Sequence, residues 1–162
     1  MKKWWVWSTT EEHFQHAMKN NIWASSTQNV KKHVKNGDYL LIYVSKEEGQ
    51  LGGFFRGTCQ ITGKWNENFH PKWPQELRDQ RVRWKWQCNI NPELIFHVKF
   101  DDVKKHLIFI KSKKNVGLAV KNSNTVGPAN SGKPIDYVDI YALKAFASNP
   151  KLMKKLFEQF LN

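Results

Sequence analysis

The side chains of this 162-residue chain that could do chemistry are mostly rings and cations, with few nucleophiles and acids among them. His13 and His16 stand three apart and could share a metal if both lie on a helix. No Cys or acidic residue joins them at ligand spacing, so the simpler reading puts one in solvent and the other at the core or a pocket. Glu11-Glu12 and Asp101-Asp102 are adjacent pairs. Neighbours in sequence do not face each other on a helix, and acids near a helix start are explained by the helix dipole. Cys59 and Cys88 fall inside strand-like segments, where an activated thiolate is not expected. There is no G-x-x-x-x-G-K-[ST], G-x-G-x-x-G or G-x-S-x-G pattern. These residues predict no catalytic group, no metal and no cofactor.

Rings and cations together suit a different task. Unstacked bases are held on aromatic faces at about 1–3 kcal/mol per base, and phosphates are held by Lys and Arg. Eight Trp are present, and 26 Lys and Arg stand against 14 Asp and Glu, a formal +12. From Arg81 to Lys121 there are ten basic and three acidic residues, more than an evenly solvated surface would carry. Most Trp are core residues, and Trp4, Trp84 and Trp86 lie in strand-like runs that predict burial. Trp5 and Trp7 alternate with Trp4 and Val6, so one set could face a groove. Trp23, Trp65 and Trp73 lie outside regular strands and are the pocket candidates. Arg83 and Lys85 are the nearest candidates for phosphate contacts.

The elements that would position these groups alternate in type. Lys3–Trp7 reads as a buried strand, followed by a helix to Asn20 with Thr9 as N-cap and Glu12 completing a capping box. A short extended piece at Ile22–Ala24 precedes a short helix at Val30–Val34, with Gly37 as its stop. Asp38–Ser45 and Gly53–Thr62 predict a hairpin around a polar turn at 46–50. Residues 63–80 read as a long irregular segment, Val82–Cys88 and Leu94–Phe100 as two more strands, and Gly117–Val120 as another. In the first of these, alternation predicts Val82, Trp84, Trp86 and Cys88 on one face. A polar loop spans 122–134, and the C-terminus reads as helix from about 138 to 161. The fold class expected is α+β: a small curled sheet or barrel of five to six strands flanked by helices, in a single domain over 1–162. No apolar run is long enough to span a membrane, and Ser8 with Glu11-Glu12 interrupts the only leader-like start. Two cysteines read as reduced thiols suggest a cytoplasmic protein.

Taken in order, several segments resemble EVE domains and the related YTH domains. They are Trp5-Val-Trp-Ser-Thr-Thr10 with the helix after it, Asn21-Ile-Trp-Ala-Ser-Ser26, Lys35-Asn-Gly-Asp-Tyr-Leu-Leu-Ile-Tyr-Val44, Gly52-Gly-Phe-Phe-Arg-Gly57, Arg83-Trp84 and Leu107–Lys114. The resemblance covers about residues 3–135. It implies a PUA-like fold and a nucleic-acid partner, DNA or RNA, whose modified base, such as a methylated adenine or cytosine, enters an aromatic cage. It further implies Trp23 as one wall and Trp65 or Trp73 as the other. Ser8 and Thr9 would read the base edge, His13 would reach the sugar, and Lys133 would hold a phosphate with Arg83 and Lys85. YTH domains usually carry Asn where Thr9 stands. The alternatives are a PUA-like RNA-binding module indifferent to modification and an enzyme acting on nucleic acid or a nucleotide. A binding module of this kind would need a protein partner to act on what it binds.

Overall fold

The computed structural model describes residues 1–45, 53–110 and 134–160, and of Phe157 and Phe160 the backbone only. The hairpin turn at 46–50, the strand expected at Gly117–Val120 and the loop at 122–133 lie outside the described residues.

Strand β1 (Trp4–Thr9) pairs in parallel with β3 (Tyr39–Val44), in register Trp4↔Tyr39 to Thr9↔Val44. β3 pairs antiparallel with β4 (Phe54–Ile61), which pairs with the 14-residue β6 (Trp86–Lys99). β6 pairs in turn with β2 (Ile22–Ser25) and with the two-residue β5 (Asn66–Glu67). The sheet therefore runs β1-β3-β4-β6-β2. β6 replaces the two strands expected at 82–88 and 94–100. It bends at register shifts between Thr58/Cys59 and Phe55/Gly57, where extra β6 residues are accommodated and the sheet curls. Gly57 is required at that bend, since a Cβ there would meet the Leu94 carbonyl oxygen at 2.4 Å.

β1 and β3 bury both faces over most of their length, which is why they read as nearly continuous apolar runs. Trp4, Val6, Leu41, Tyr43, Phe55 and Val98 pack with Phe100, Ile140, Leu143 and Phe146 on one side. That side is covered by α4 (Phe100–Val103) and by α5 (Tyr137–Ser148), which is followed by α6 (Pro150–Phe160). The buried Asp139 of α5 accepts the backbone N–H groups of Ile108 and Phe109 at 2.7 and 3.0 Å, anchoring the helix to the turn beneath it. Trp5, Phe14, Ala17, Trp23, Leu40, Ile42, Cys59, Trp73 and Cys88 form the second core, on the concave side. It is enclosed by α1 (Glu11–Asn20), α2 (Val30–His33) and α3 (Pro74–Asp79).

Two caps differ from the sequence reading. Thr10, not Thr9, caps α1 by accepting from the His13 N–H, because the ladder with β3 keeps Thr9 in the strand. Gly37 does not stop α2, which ends at His33 with Val34 as its C-cap; it takes φ +92° in the turn into β3. Cys59 and Cys88 are buried free thiols. Burial raises the pKa of both, Cys88 to about 12, so neither is a thiolate at neutral pH.

Candidate nucleic-acid interface

Where β1 ends and α1 begins, the concave core opens into a cavity of about 280 Å³. This is close to the lower bound of small-molecule sites, about 300–1,000 Å³. Its rings come from three elements: Trp7 of β1, Trp73 at the N-cap of α3, and Trp84 in the segment entering β6. Trp7 and Trp73 are 6.2 Å apart at 78°, and Trp73 and Trp84 are 6.1 Å apart at 59°. Neither pair is parallel, so a flat ligand stacked on one ring meets the others at an angle or edge-on. His13 closes a further side, 5.4 Å from Trp73 and 4.7 Å from Trp84, edge-on to both. Ser8, Thr9, Thr10, Ser45 and Gln75 supply hydroxyl and amide groups, and Ala24 completes the lining.

Among the described residues, no carboxylate, lysine or arginine lines this cavity. Burial lowers the pKa of His13, so its ring is neutral at neutral pH. His13 Nε2 and Trp73 Nε1 are buried without a hydrogen-bond partner among the described residues. Such groups are uncommon in folded proteins and mark a place where a polar ligand atom or water is expected.

A single carboxylate sets the two loop walls. Glu76 is fully buried and accepts four backbone N–H groups: Lys72 at 2.9 Å and Trp73 at 3.2 Å on Oε2, Arg83 and Trp84 each at 2.8 Å on Oε1. Burial alone would raise its pKa, but the four donors hold it below the ordinary carboxylate value. Trp73-Pro-Gln-Glu76 is the local reason: Pro74 starts the helix, and a Glu at its third position reaches back to the N-cap N–H. This residue was missed from sequence, although the Pro and Glu spacing carried the signal.

The EVE domain family profile matches residues 3–124. The chain belongs to the EVE domain family. Among its relatives, a UPF0310 protein of Saccharolobus solfataricus is 26% identical over 113 residues, 69% of this chain and 73% of that one. A UPF0310 protein of Pyrococcus horikoshii is 26% identical over 116 residues, 68% and 79% of the two chains. The fold is shared with the YTH domain of Zygosaccharomyces rouxii MRB1 protein, solved in complex with N6-methyladenosine RNA. That match has TM-score 0.58 and 18% identity, covering 90% of this chain and 87% of the other. The Pho92 YTH domain in complex with m6A matches with TM-score 0.57 and 13% identity over 91% and 85%.

In this EVE domain, Ser8, Thr9, His13 and Trp73 from the sequence reading meet around one cavity. Trp23 and Trp65 do not line it. Trp23 is 1% exposed and lies behind Trp7, 5.9 Å away, and Trp65 lies a further layer back, 5.2 Å from Trp23. Trp65 also donates its indole N–H to the Val34 carbonyl at 3.1 Å. Their places on the wall are taken by Trp7, undecided from sequence, and Trp84, read there as core. Trp84 escapes the alternation expected at 82–88 because β6 starts only at Trp86. Trp86 is half-buried beneath the Lys31 ammonium, 3.9 Å from the ring centroid. Arg83 is bound to Asp79 and Lys85 to Glu67, and Lys133 lies outside the described residues. Beyond Trp84, a second concavity of about 470 Å³ is lined by Ser26, Arg81, Val82 and Arg83.

Proposed function

We propose that this EVE domain is a non-enzymatic module that binds RNA or DNA and holds one unstacked, modified base in the cavity between Trp7, Trp73 and Trp84. The observation that carries this reading is the lining itself. Among the described residues, three tryptophans, a neutral histidine and polar side chains without formal charge line the cavity, which favours a flat, uncharged, hydrogen-bonding ligand over a phosphate. The complexes of the MRB1 and Pho92 YTH domains with N6-methyladenosine support the same ligand class. Ser8, Thr9 and His13 read the base edge and sugar. A methyl group on the base displaces water from the aromatic walls, gaining about 0.8 kcal/mol per methylene-sized unit. The neighbouring nucleotide passes over Trp84 into the concavity beside Arg81 and Arg83, where its phosphate competes with Asp79 for Arg83. Trp23 and Trp65 support Trp7 from behind. The domain works as one unit over residues 1–162, and a protein partner acts on the captured strand.

The test is a titration of matched RNA and DNA oligomers, plain and carrying N6-methyladenine or 5-methylcytosine, followed by tryptophan fluorescence. Tighter binding of one modified oligomer, abolished in Trp84→Ala, is the expected result. Equal affinity for plain and modified strands, unchanged in Trp84→Ala, would assign the chain to the modification-indifferent RNA-binding modules instead.

A further inference from the structure

Another concavity, about 530 Å³, lies at the opposite end of β1, where Lys2, Lys3 and Trp5 meet Lys32, His33 and Lys35 from α2 and its exit. Five residue steps along the chain take Lys3 to Ser8, about 16 Å at 3.3 Å per residue. Its chemistry is the inverse of the aromatic cavity's. Four lysines and a histidine face one carboxylate, Asp38.

Asp38 does not neutralise those lysines. It is buried, and its oxygens accept the Lys3 N–H at 3.0 Å, the Lys35 N–H at 2.9 Å and the Trp5 indole N–H at 3.1 Å. Its acceptor capacity goes to fixing the groove wall, binding the start of β1 to the exit of α2. Among the described residues, Lys2, Lys3, Lys32 and Lys35 form no ion pair. By contrast Arg78, Arg83 and Lys85, in the segment after Trp73, each hold a carboxylate. Concentrating unpaired cations in a concave site focuses the field on an incoming anion. The Lys35 Nζ does donate to the Lys31 carbonyl at 2.6 Å, which keeps its charge in place without cancelling it.

We infer that this lysine groove is a second nucleic-acid contact, holding the phosphate backbone of the strand whose base is presented to the aromatic cavity. The inference rests on the nucleic-acid reading above and assigns the two ends of β1 different work. The groove supplies salt-dependent, sequence-independent affinity; the cavity supplies base choice. A single nucleoside engages only the cavity, whereas an oligomer engages both.

The experiment compares the parent with Lys3→Gln/Lys32→Gln/Lys35→Gln. This variant leaves the backbone donors to Asp38 in place, and its melting curve checks folding. Two probes are used across a salt series: a modified nucleoside, and an unmodified single strand of roughly 12 nucleotides, within the usual 4–16-nucleotide footprint. The expected result is unchanged nucleoside affinity with a flatter salt dependence for the oligomer. Loss of three contacts lowers the slope of log K against log salt by about 2, at about 0.7 per single-strand phosphate. An unchanged slope overturns the groove. Binding of phosphatidylserine vesicles, with no oligomer binding, also overturns it in favour of a membrane contact. Oligomer binding that depends on these lysines in a protein that ignores the nucleoside upholds the groove and defeats the cavity reading. If the triple variant melts early, Lys2→Gln/Lys32→Gln gives the same test with a slope loss of about 1.4.

Discussion

The two ends of β1 differ in how they treat charge. At the Ser8 end the described lining has no formal charge, and Arg78, Arg83 and Lys85 of the segment after Trp73 are held by Glu12, Asp79 and Glu67. At the Lys3 end, among the described residues, the lysines are in no ion pair and the one lining acid accepts three N–H groups. An aromatic cavity gains by excluding water and charge, because burying an unpaired ion costs more than stacking returns. A backbone-binding groove gains from unpaired cations at its rim, since exposed ammonium groups keep their hydration until counterions are displaced. One strand therefore joins a site built for a ring to a site built for a polyanion.

Breaking one end should leave the other intact. The largest effect is expected for Trp23→Ala, which empties a fully buried ring site behind Trp7. Stability should fall by about 3–5 kcal/mol in chemical denaturation. Nucleoside affinity, measured well below the melting point, should fall less than in Trp84→Ala; a larger loss would return Trp23 to the wall. Glu76→Gln replaces one accepting oxygen with an NH₂ that faces two N–H donors, so a loss of roughly 2–4 kcal/mol is expected. Trp73 and Trp84 should loosen together, read as a red-shifted and less structured tryptophan emission, while the salt slope of oligomer binding stays put.

Trp84→Ala should cost about 1–3 kcal/mol in base binding, roughly 5- to 150-fold, with a smaller effect on stability because the ring is only half-buried. Acidification should act on the same end. The lowered pKa of His13 means that the unfolded chain takes up its proton first, so stability falls as pH drops below the ordinary histidine value of about 6.5. The lowered pKa of Glu76 adds stability that is complete above the ordinary carboxylate value and is lost as pH falls through its folded one. Denaturant midpoints from pH 8 to 3 should therefore decline in two stages. A midpoint independent of pH from 8 to 5 would contradict the neutral His13 wall.

Much of this arrangement was legible in the sequence because local rules and tertiary packing agree there. The α+β class, the β3–β4 pair and the α1 helix follow from the strand-like runs at 38–45 and 53–62 and the helix-start signal at Thr9–Glu12, whose cap falls one residue later, at Thr10. The resemblance to EVE and YTH domains groups Ser8, Thr9, His13 and Trp73, and these four line one cavity. The tryptophan walls were harder. Trp84 sits in an alternating run, but Glu76 captures the Arg83 and Trp84 N–H groups that a strand ladder would need, so the residue turns to the cavity. Trp23 lies in a strand paired with Cys88 and points into the concave core, a depth that spacing alone does not encode. The lysine groove was missed because its members, Lys2, Lys3, Lys32 and Lys35, belong to segments about 30 residues apart that meet only when β1 pairs with β3.

The central claim is that the cavity between Trp7, Trp73 and Trp84 selects a modified base. It is tested most directly by titrating two otherwise identical oligomers, one carrying a single methylated base, into the parent and Trp84→Ala proteins at fixed salt. The account predicts tighter binding of the methylated strand by the parent and no preference in the variant. Equal affinities in the parent, for both N6-methyladenine and 5-methylcytosine in RNA and DNA, would contradict it.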